Sequence, residues 1–410
     1  MKIVTLILGA VLAAYCSAGI LSQTVWKNNE EPNRDLCRLL LCTDEPLTER
    51  ARQQLAGESE EDVQKAVALF RDALKRDPQN AYRWADLGEA YADAGQKENA
   101  HYCYEQVQAL APHYANLLLR AANFYFQIGE NKEALAITAR ILRLIPDYDS
   151  VIFSEYTRLV AQVEDVLRYG LPEDNRAAVS WLRSLMEAGR IDDAQQTWNW
   201  VAGRGYADDD LAGEYVDFLI RQGRPDLAAS VWSQQLGRRS GDYRKSNYLF
   251  NGGFESAPSR SPFDWNLGRV QGAEVTRDCT TARSGECSLR VEFAGTDNVD
   301  FAAASQMTSV APGHYCLHAS IRTESLTTDQ GIRFRIFDAE APTRLDTVFG
   351  QFIGTRPWSD VEYDIFVPSG TRLLQVQVTR QRSLRFDNKI GGTAWTDELS
   401  LEPISIHSPQ

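Results

Sequence analysis

Residues 81–114, AYRWADLGEAYADAGQKENAHYCYEQVQALAPHY, are one unit of a pattern that recurs every 34 residues. Pro78, Pro112 and Pro146 keep that spacing, as do Ala66, Ala100 and Ala134, and the pairs Gly95 with Gly129 and Tyr91 with Tyr125 share it. Each unit reads as two helices. A glycine ends the first where a compact turn is needed, a small alanine lets the second approach closely, and a proline closes the unit. Residues 47–80 form an earlier unit with a good second helix (Ala66, Phe70, Ala73, Pro78) and a poor first one, as suits a capping repeat. The register is lost after Pro146 through about residue 174, then returns: Gly189 and Gly223, Ala194 and Ala228, and Trp198 and Trp232 are again 34 apart, without the closing proline.

Within the unit 81–114, Trp84, Leu87-Gly88, Tyr91, Gly95, Ala100, Tyr104 and Pro112 stand where the tetratricopeptide repeat has Trp, Leu-Gly, Tyr, Gly, Ala, Phe and Pro. This part of the chain resembles that family, with Tyr104 in the Phe place. The resemblance implies an α-solenoid of helix pairs over residues 47–242, whose first helices line a protein-binding groove with Tyr82, Glu89, Asp93, Asn116, Leu119, Asn123, Phe126 and Gln127. The family variant that clamps a peptide's terminal carboxylate uses lysines at such places; none stands here, which disfavours a chaperone-tail receptor. Trp181, Trp198, Trp200 and Trp232 read as packing between helices rather than as ligand-stacking rings.

At about residue 245 helical periodicity stops, and short alternating segments separated by Gly, Pro, Ser, Thr, Asn and Asp follow, the pattern of a β-sandwich. Leu289, Val291 and Phe293 alternate with Arg290 and Glu292; Tyr315, Leu317, Ala319 and Ile321 alternate with Cys316, His318, Ser320 and Arg322. Asn251-Gly252-Gly253-Phe254-Glu255 with Phe263-Asp264-Trp265, then Gly285–Val291, Ala311–Tyr315 and Gly392–Leu401, together resemble carbohydrate-binding modules of the jelly-roll type, over residues 243–410. In that family the opening Glu and the closing Asp meet at a structural calcium, which the resemblance carries over to Glu255 and Asp397. The other reading is that both acids cap turns or pair with Arg. Solvent parity along the strands collects His318, Ser320, Arg322, Arg333, Arg335, Phe337, Gln375 and Gln377, with Glu362, Asp364 and Phe366, on one coherent polar face. Planar Arg and Gln groups there suit a hydroxylated or acidic glycan. Stacking aromatics are sparse, with Phe337 and Phe366 the candidates, so a spacer or docking surface without a sugar role stands beside it.

The 410 residues are 43% apolar and 24% charged, with a formal charge of −13, an acidic globular composition that argues against nucleic acid or anionic lipid as an electrostatic partner. Residues 243–410 carry 17 Lys+Arg against 20 Asp+Glu, and residues 1–242 carry 26 against 36, so the helical half suits a basic protein surface. After Lys2, an uncharged run from Ile3 to Ser22 is followed by Trp26 and the acids Glu30 and Glu31. Residues 1–26 are thus a cleaved signal peptide or a retained single-pass anchor with the N-terminus cytoplasmic, and 27–46 a linker. Either places the rest in an exported, periplasmic or cell-surface setting, where Cys37 with Cys42 and Cys279 with Cys287 are disulfide candidates against a reading as free thiols. The spacings give no zinc set, and the five histidines do not complete one. Without a phosphate-cradling Gly loop, a Gly-x-Ser-x-Gly elbow or a metalloprotease helix, catalysis finds little support. A glycosidase needs two carboxylates across a cleft, and nothing marks a pair. The resulting expectation is a non-enzymatic adaptor whose repeats dock a protein and whose sandwich binds glycan, in bacterial envelope or exopolysaccharide synthesis or export. The alternative is a purely structural protein–protein scaffold.

Overall fold

The computed structural model describes residues 45–57 and 59–404, with Ala13 and Ser17 alone before them. The rest of the apolar run and the Cys37–Cys42 pair lie outside the described residues, and the linker drawn to residue 46 gives way at Glu45 to a helix. Among the described residues no helix is long and apolar enough to cross a membrane. The chain divides into two compact units, residues 1–184 and 185–410.

The first unit is helical: α1 (Glu45–Leu55), α2 (Glu60–Arg76), α3 (Ala81–Asp93), α4 (Lys97–Leu110), α5 (Ala115–Gln127), α6 (Asn131–Leu144), α7 (Asp149–Leu159) and most of α8 (Asn175–Glu187). Ser59 caps α2 by accepting the Asp62 N–H, with Glu60 and Glu61 in the first turn and Lys75 and Arg76 in the last, as the helix dipole favours. The 34-residue period has a backbone cause. Gly95 and Gly129 take φ of +71° and +83°, and the residue after each donates its N–H to the carbonyl five residues back, Gln96 to Tyr91 at 2.8 Å and Glu130 to Tyr125 at 2.9 Å. Ala66, Ala100 and Ala134 are fully buried, so paired helices approach closely at those points. Where the period breaks, α7 is followed not by a regular second helix but by a π-helical turn, Val166–Gly170. The Tyr156 hydroxyl fixes that turn, 2.6 Å from Thr138 and 2.8 Å from the Gly170 carbonyl.

The second unit opens with α9 (Ile191–Gly203), α10 (Asp209–Arg221) and α11 (Pro225–Leu236) and continues into ten strands. Arg190 and Arg224 repeat the turn bond to Leu185 and Leu219, both at 2.9 Å. α11 packs on the sandwich: Trp232 is fully buried edge-on to Phe250, and Ser309 donates to Asp226 at 2.6 Å. A side chain at Gly213 would stand 3.1 Å from the Ser261 nitrogen, so α10 meets that loop backbone to backbone.

The strands are β1 (Asn266–Leu267), β2 (Ala273–Asp278), β3 (Ser288–Ala294), β4 (Phe301–Ser309), β5 (Gly313–Leu326), β6 (Ile332–Asp338), β7 (Asp346–Phe352), β8 (Gly354–Val367), β9 (Leu373–Arg380) and β10 (Gly391–Pro403). They form two five-stranded antiparallel sheets, one ordered β2-β3-β10-β5-β8 and the other β1-β4-β9-β6-β7. Alternate residues from both sheets fill one core: Leu289, Val291, Leu317 and Ile321 from the first, Phe334, Ile336, Val376 and Val378 from the second.

Candidate functional site

The strand topology corrects the expectation of one polar face. His318 and Arg322 lie on β5 of the first sheet, as Glu362, Asp364 and Phe366 lie on β8, whereas Arg333, Arg335 and Phe337 (β6) and Gln375 and Gln377 (β9) belong to the second. Because the alternating residues of both sheets share the core between them, their outward neighbours leave the sandwich in opposite directions. Solvent parity along one strand cannot say which sheet the strand joins.

On the second sheet, the register aligns Arg335 with Gln377 and Gln377 with Ser305, and Phe337 with Gln375 and Gln375 with Met307. Arg335 grips Asp346 through two bonds of 2.8 and 2.7 Å while its guanidinium lies 4.4 Å from the Phe337 ring. The bond to Asp346 raises the Arg335 pKa and its counterpart lowers that of Asp346. Arg333 donates to Gln330 and Gln351 at 2.9 and 2.8 Å, yet its Nε, like the buried Oε1 of Gln377, has no partner. Beside this row a cleft of about 630 Å³ is lined by Ser259, Arg260, Asn266, Ser305, Met307 and Gln375. Trp265 stands at its edge but belongs to the core. Phe337 is half-buried under Arg335, so it offers no open stacking face. The fully exposed apolar side chains are instead Leu384 and Phe386, after β9. Their loop is tied to Asp329 by Ser383 at 2.5 Å and Arg385 at 3.2 Å. The Leu-Arg-Phe run outside any strand was the available sequence signal for them.

On the first sheet, Arg322 lies 4.9 Å from the Trp395 ring, and Trp395 donates its indole N–H to Asp278 at 2.9 Å. Ser320 stands 2.5 Å from Asp360 and 2.8 Å from Glu398. Phe366 is 59% exposed and packs against His314. Pairing of β5 with β8 brings Cys316, His318 and Glu362 together, with ligand atoms within 4.8 Å of one another.

Glu255 and Asp397 hold a common loop. Glu255 Oε1 accepts the N–H groups of Glu286 and Cys287 at 3.0 and 3.2 Å, and Asp397 Oδ2 accepts those of Arg283 and Ser284 at 2.8 and 3.2 Å. The loop is closed by the Cys279–Cys287 disulfide. Burial pushes the Asp397 carboxyl up, and backbone N–H bonds from Arg283, Ser284 and Glu398 oppose the shift.

In the repeats, Tyr82, Glu89, Asp93, Asn116, Asn123 and Gln127 are exposed and Leu119 is half-buried. Phe126 is a correction: it is buried in the core, because α5 turns Phe124, Tyr125 and Phe126 all inward. Trp181, Trp198 and Trp232 are buried as expected, with Trp198 stacked on Tyr215 at 4.7 Å; Trp200 is half-buried under Arg204.

Family models described as tetratricopeptide repeat match residues 58–100 and 179–243, and 98–163. The helical part is built of tetratricopeptide repeats. Over 88 residues the chain is 27% identical to the formate-dependent nitrite reductase complex bifunctional subunit NrfFG of Haemophilus influenzae, covering 21% of this chain and 23% of that protein. The chain thus spans about a quarter of the length of that curated relative. Among solved structures, the C-terminal sandwich is similar to a family 61 carbohydrate-binding module in complex with β-1,4-galactotriose (19% identity, 38% of this chain, 99% of that one, TM-score 0.29). It is also similar to the C-terminal family 22 module of Clostridium thermocellum Xyn10B (18% identity, 40% and 98% covered, TM-score 0.28). The MamA protein matches at 15% identity over 49% of this chain and 95% of its own, with a TM-score of 0.25.

Proposed function

We propose that this chain is an exported, non-enzymatic adaptor whose tetratricopeptide helix pairs stack as a solenoid to dock a protein, while the outer face of β4, β9 and β6 binds a hydroxyl-rich glycan in bacterial envelope or exopolysaccharide synthesis or export. The observation that carries the glycan reading is the cleft of about 630 Å³ lined by Ser259, Arg260, Asn266, Ser305, Met307 and Gln375, with Gln377 paired to Ser305 across the β4–β9 ladder. Amide and guanidinium groups ranged along a sheet match hydroxyl pairs on a sugar ring. The Cys279–Cys287 disulfide and the apolar N-terminal run support export. The second reading, a purely structural scaffold, is favoured by the engagement of Arg335 with Asp346 and of Arg333 with two glutamines.

The test is binding of the full chain to an array of bacterial and plant polysaccharides. Saturable binding that weakens at least about tenfold, or 1.4 kcal/mol, in Gln375→Ala and Gln377→Ala supports the glycan face. Binding unchanged in both variants, or none from the folded protein, favours the scaffold. We further propose calcium at Glu255 and Asp397: their hard oxygens converge on one loop, and Asp397 is fully buried there. When bound, the ion would supply positive charge to the two carboxylates. Calcium then raises the melting temperature over chelator in the wild type and leaves Asp397→Asn unmoved.

A further inference from the structure

The outer face of β5 carries a cluster that neither the glycan face nor the carboxylate loop uses. Cys316 and His318 are two residues apart on one strand, so both side chains leave the same side of the pleat. Across the ladder to β8, Glu362 pairs with His318 and Asp364 with Cys316; on the other side, Glu402 of β10 pairs with Cys316. The Cys316 sulfur, a His318 ring nitrogen and a Glu362 carboxylate oxygen lie within 4.8 Å of one another, and His318 Nδ1 is 3.3 Å from Glu362 Oε1. A tetrahedral zinc ion with bonds of about 2.0–2.3 Å sets its ligand atoms roughly 3.3–3.8 Å apart, so side-chain torsions have about an ångström to close on a backbone register already suited to it. Cys316 is a half-buried free thiol, whereas Cys279 and Cys287 in the same sandwich are oxidised.

We propose that Cys316, His318 and Glu362 form a binding site for a divalent transition metal of the zinc class, with water or the carboxylate of Asp364 or Glu402 in the fourth position. One thiolate, one imidazole and one carboxylate are a borderline-soft donor set that selects zinc over calcium or magnesium, so the site differs in chemistry from the all-oxygen pair at Glu255 and Asp397. β8 is the edge strand of its sheet. Metal bound here ties that edge to the interior strand β5.

The test uses tag-free, full-length protein, stripped with chelator and titrated with zinc chloride against a chromophoric chelator, then separately with cobalt(II). The expected result is one zinc per chain with an affinity that falls by at least about 10–100-fold in Cys316→Ser and in His318→Gln, as loss of a supporting group alone does at known zinc sites. Cobalt should give a thiolate-to-metal charge-transfer band that disappears in Cys316→Ser. Glu362→Gln alters an exposed side chain, keeps the fold, and should weaken zinc while retaining the cobalt–thiolate band. Zinc affinity unchanged in Cys316→Ser and His318→Gln overturns the site, as does a cobalt complex without the thiolate band or a folded wild type that takes up no zinc.

Discussion

Asp86 occupies the same place in its repeat as Arg52 and Arg120, 34 residues to either side, and both arginines donate to it at 3.0 Å. Arg83 stands 3.6 Å away, and Arg120 also pairs with Glu89 at 2.6 Å. Burial opposes the Arg120 charge, but Glu89 and Asp86 outweigh it and leave the pKa raised. A repeat position that alternates Arg, Asp, Arg thus joins neighbouring units by charge, where identical residues would repel. Asp86→Ala should destabilise the protein by about 1–3 kcal/mol in urea unfolding, the lower end reflecting the solvent that still reaches Arg52 and Arg120. A pH effect belongs to Arg335 and Asp346. Asp346 has its pKa lowered on folding by the bond to Arg335, so the pair's contribution is complete above the ordinary carboxylate pKa and is lost as pH falls through the lowered value. The gap in melting temperature between wild type and Arg335→Met should therefore hold from neutral pH down to the carboxylate range and narrow below it. A gap constant across that range would mean the pair does not act through charge.

At the scale of elements, the helix pairs depend on glycines in the left-handed region. Gly129, at φ +83°, has nothing within 4 Å of where a Cβ would stand, so Gly129→Ala meets no neighbour and isolates the backbone cost. That cost should be about 1 kcal/mol, read from the denaturation midpoint, with helical content unchanged. Helix interiors obey a different constraint. Phe124, Tyr125 and Phe126 are consecutive and all buried, which a helix permits only where neighbours cover a broad arc, and this is why Phe126 leaves the groove predicted for it.

For the whole molecule, texture and packing draw different lines. Composition changes near residue 243, but the compact units divide at 184, and α10 and α11 pack on the sandwich through Gly213, Trp232 and Asp226. A fragment of residues 185–410 should unfold cooperatively, whereas 243–410 alone loses the cover over Phe250 and should melt lower by calorimetry. Trp232→Ala should cost about 3–5 kcal/mol in the 185–410 fragment, the range for emptying a fully buried aromatic site. Equal melting of the two fragments would show that the helices merely adjoin the sandwich.

Local chemistry was legible in the sequence. The 34-residue period places Gly95, Ala100 and Pro112 because turn, close approach and unit end are each decided within a few residues, and alternation on β3 and β5 reports burial because side chains on a strand change face at every residue. The Cys279–Cys287 bridge was also readable, spanning a short loop. Strand order was not, since it depends on which distant segments pair. It moved Arg333, Arg335, Phe337, Gln375 and Gln377 to one side of the sandwich and His318 and Arg322 to the other, and it set Glu362 beside Cys316 and His318. The sequence determined the periodicity of its own residues; only the tertiary structure decided which of their outward faces coincide, because a site is made by register between strands far apart along the chain.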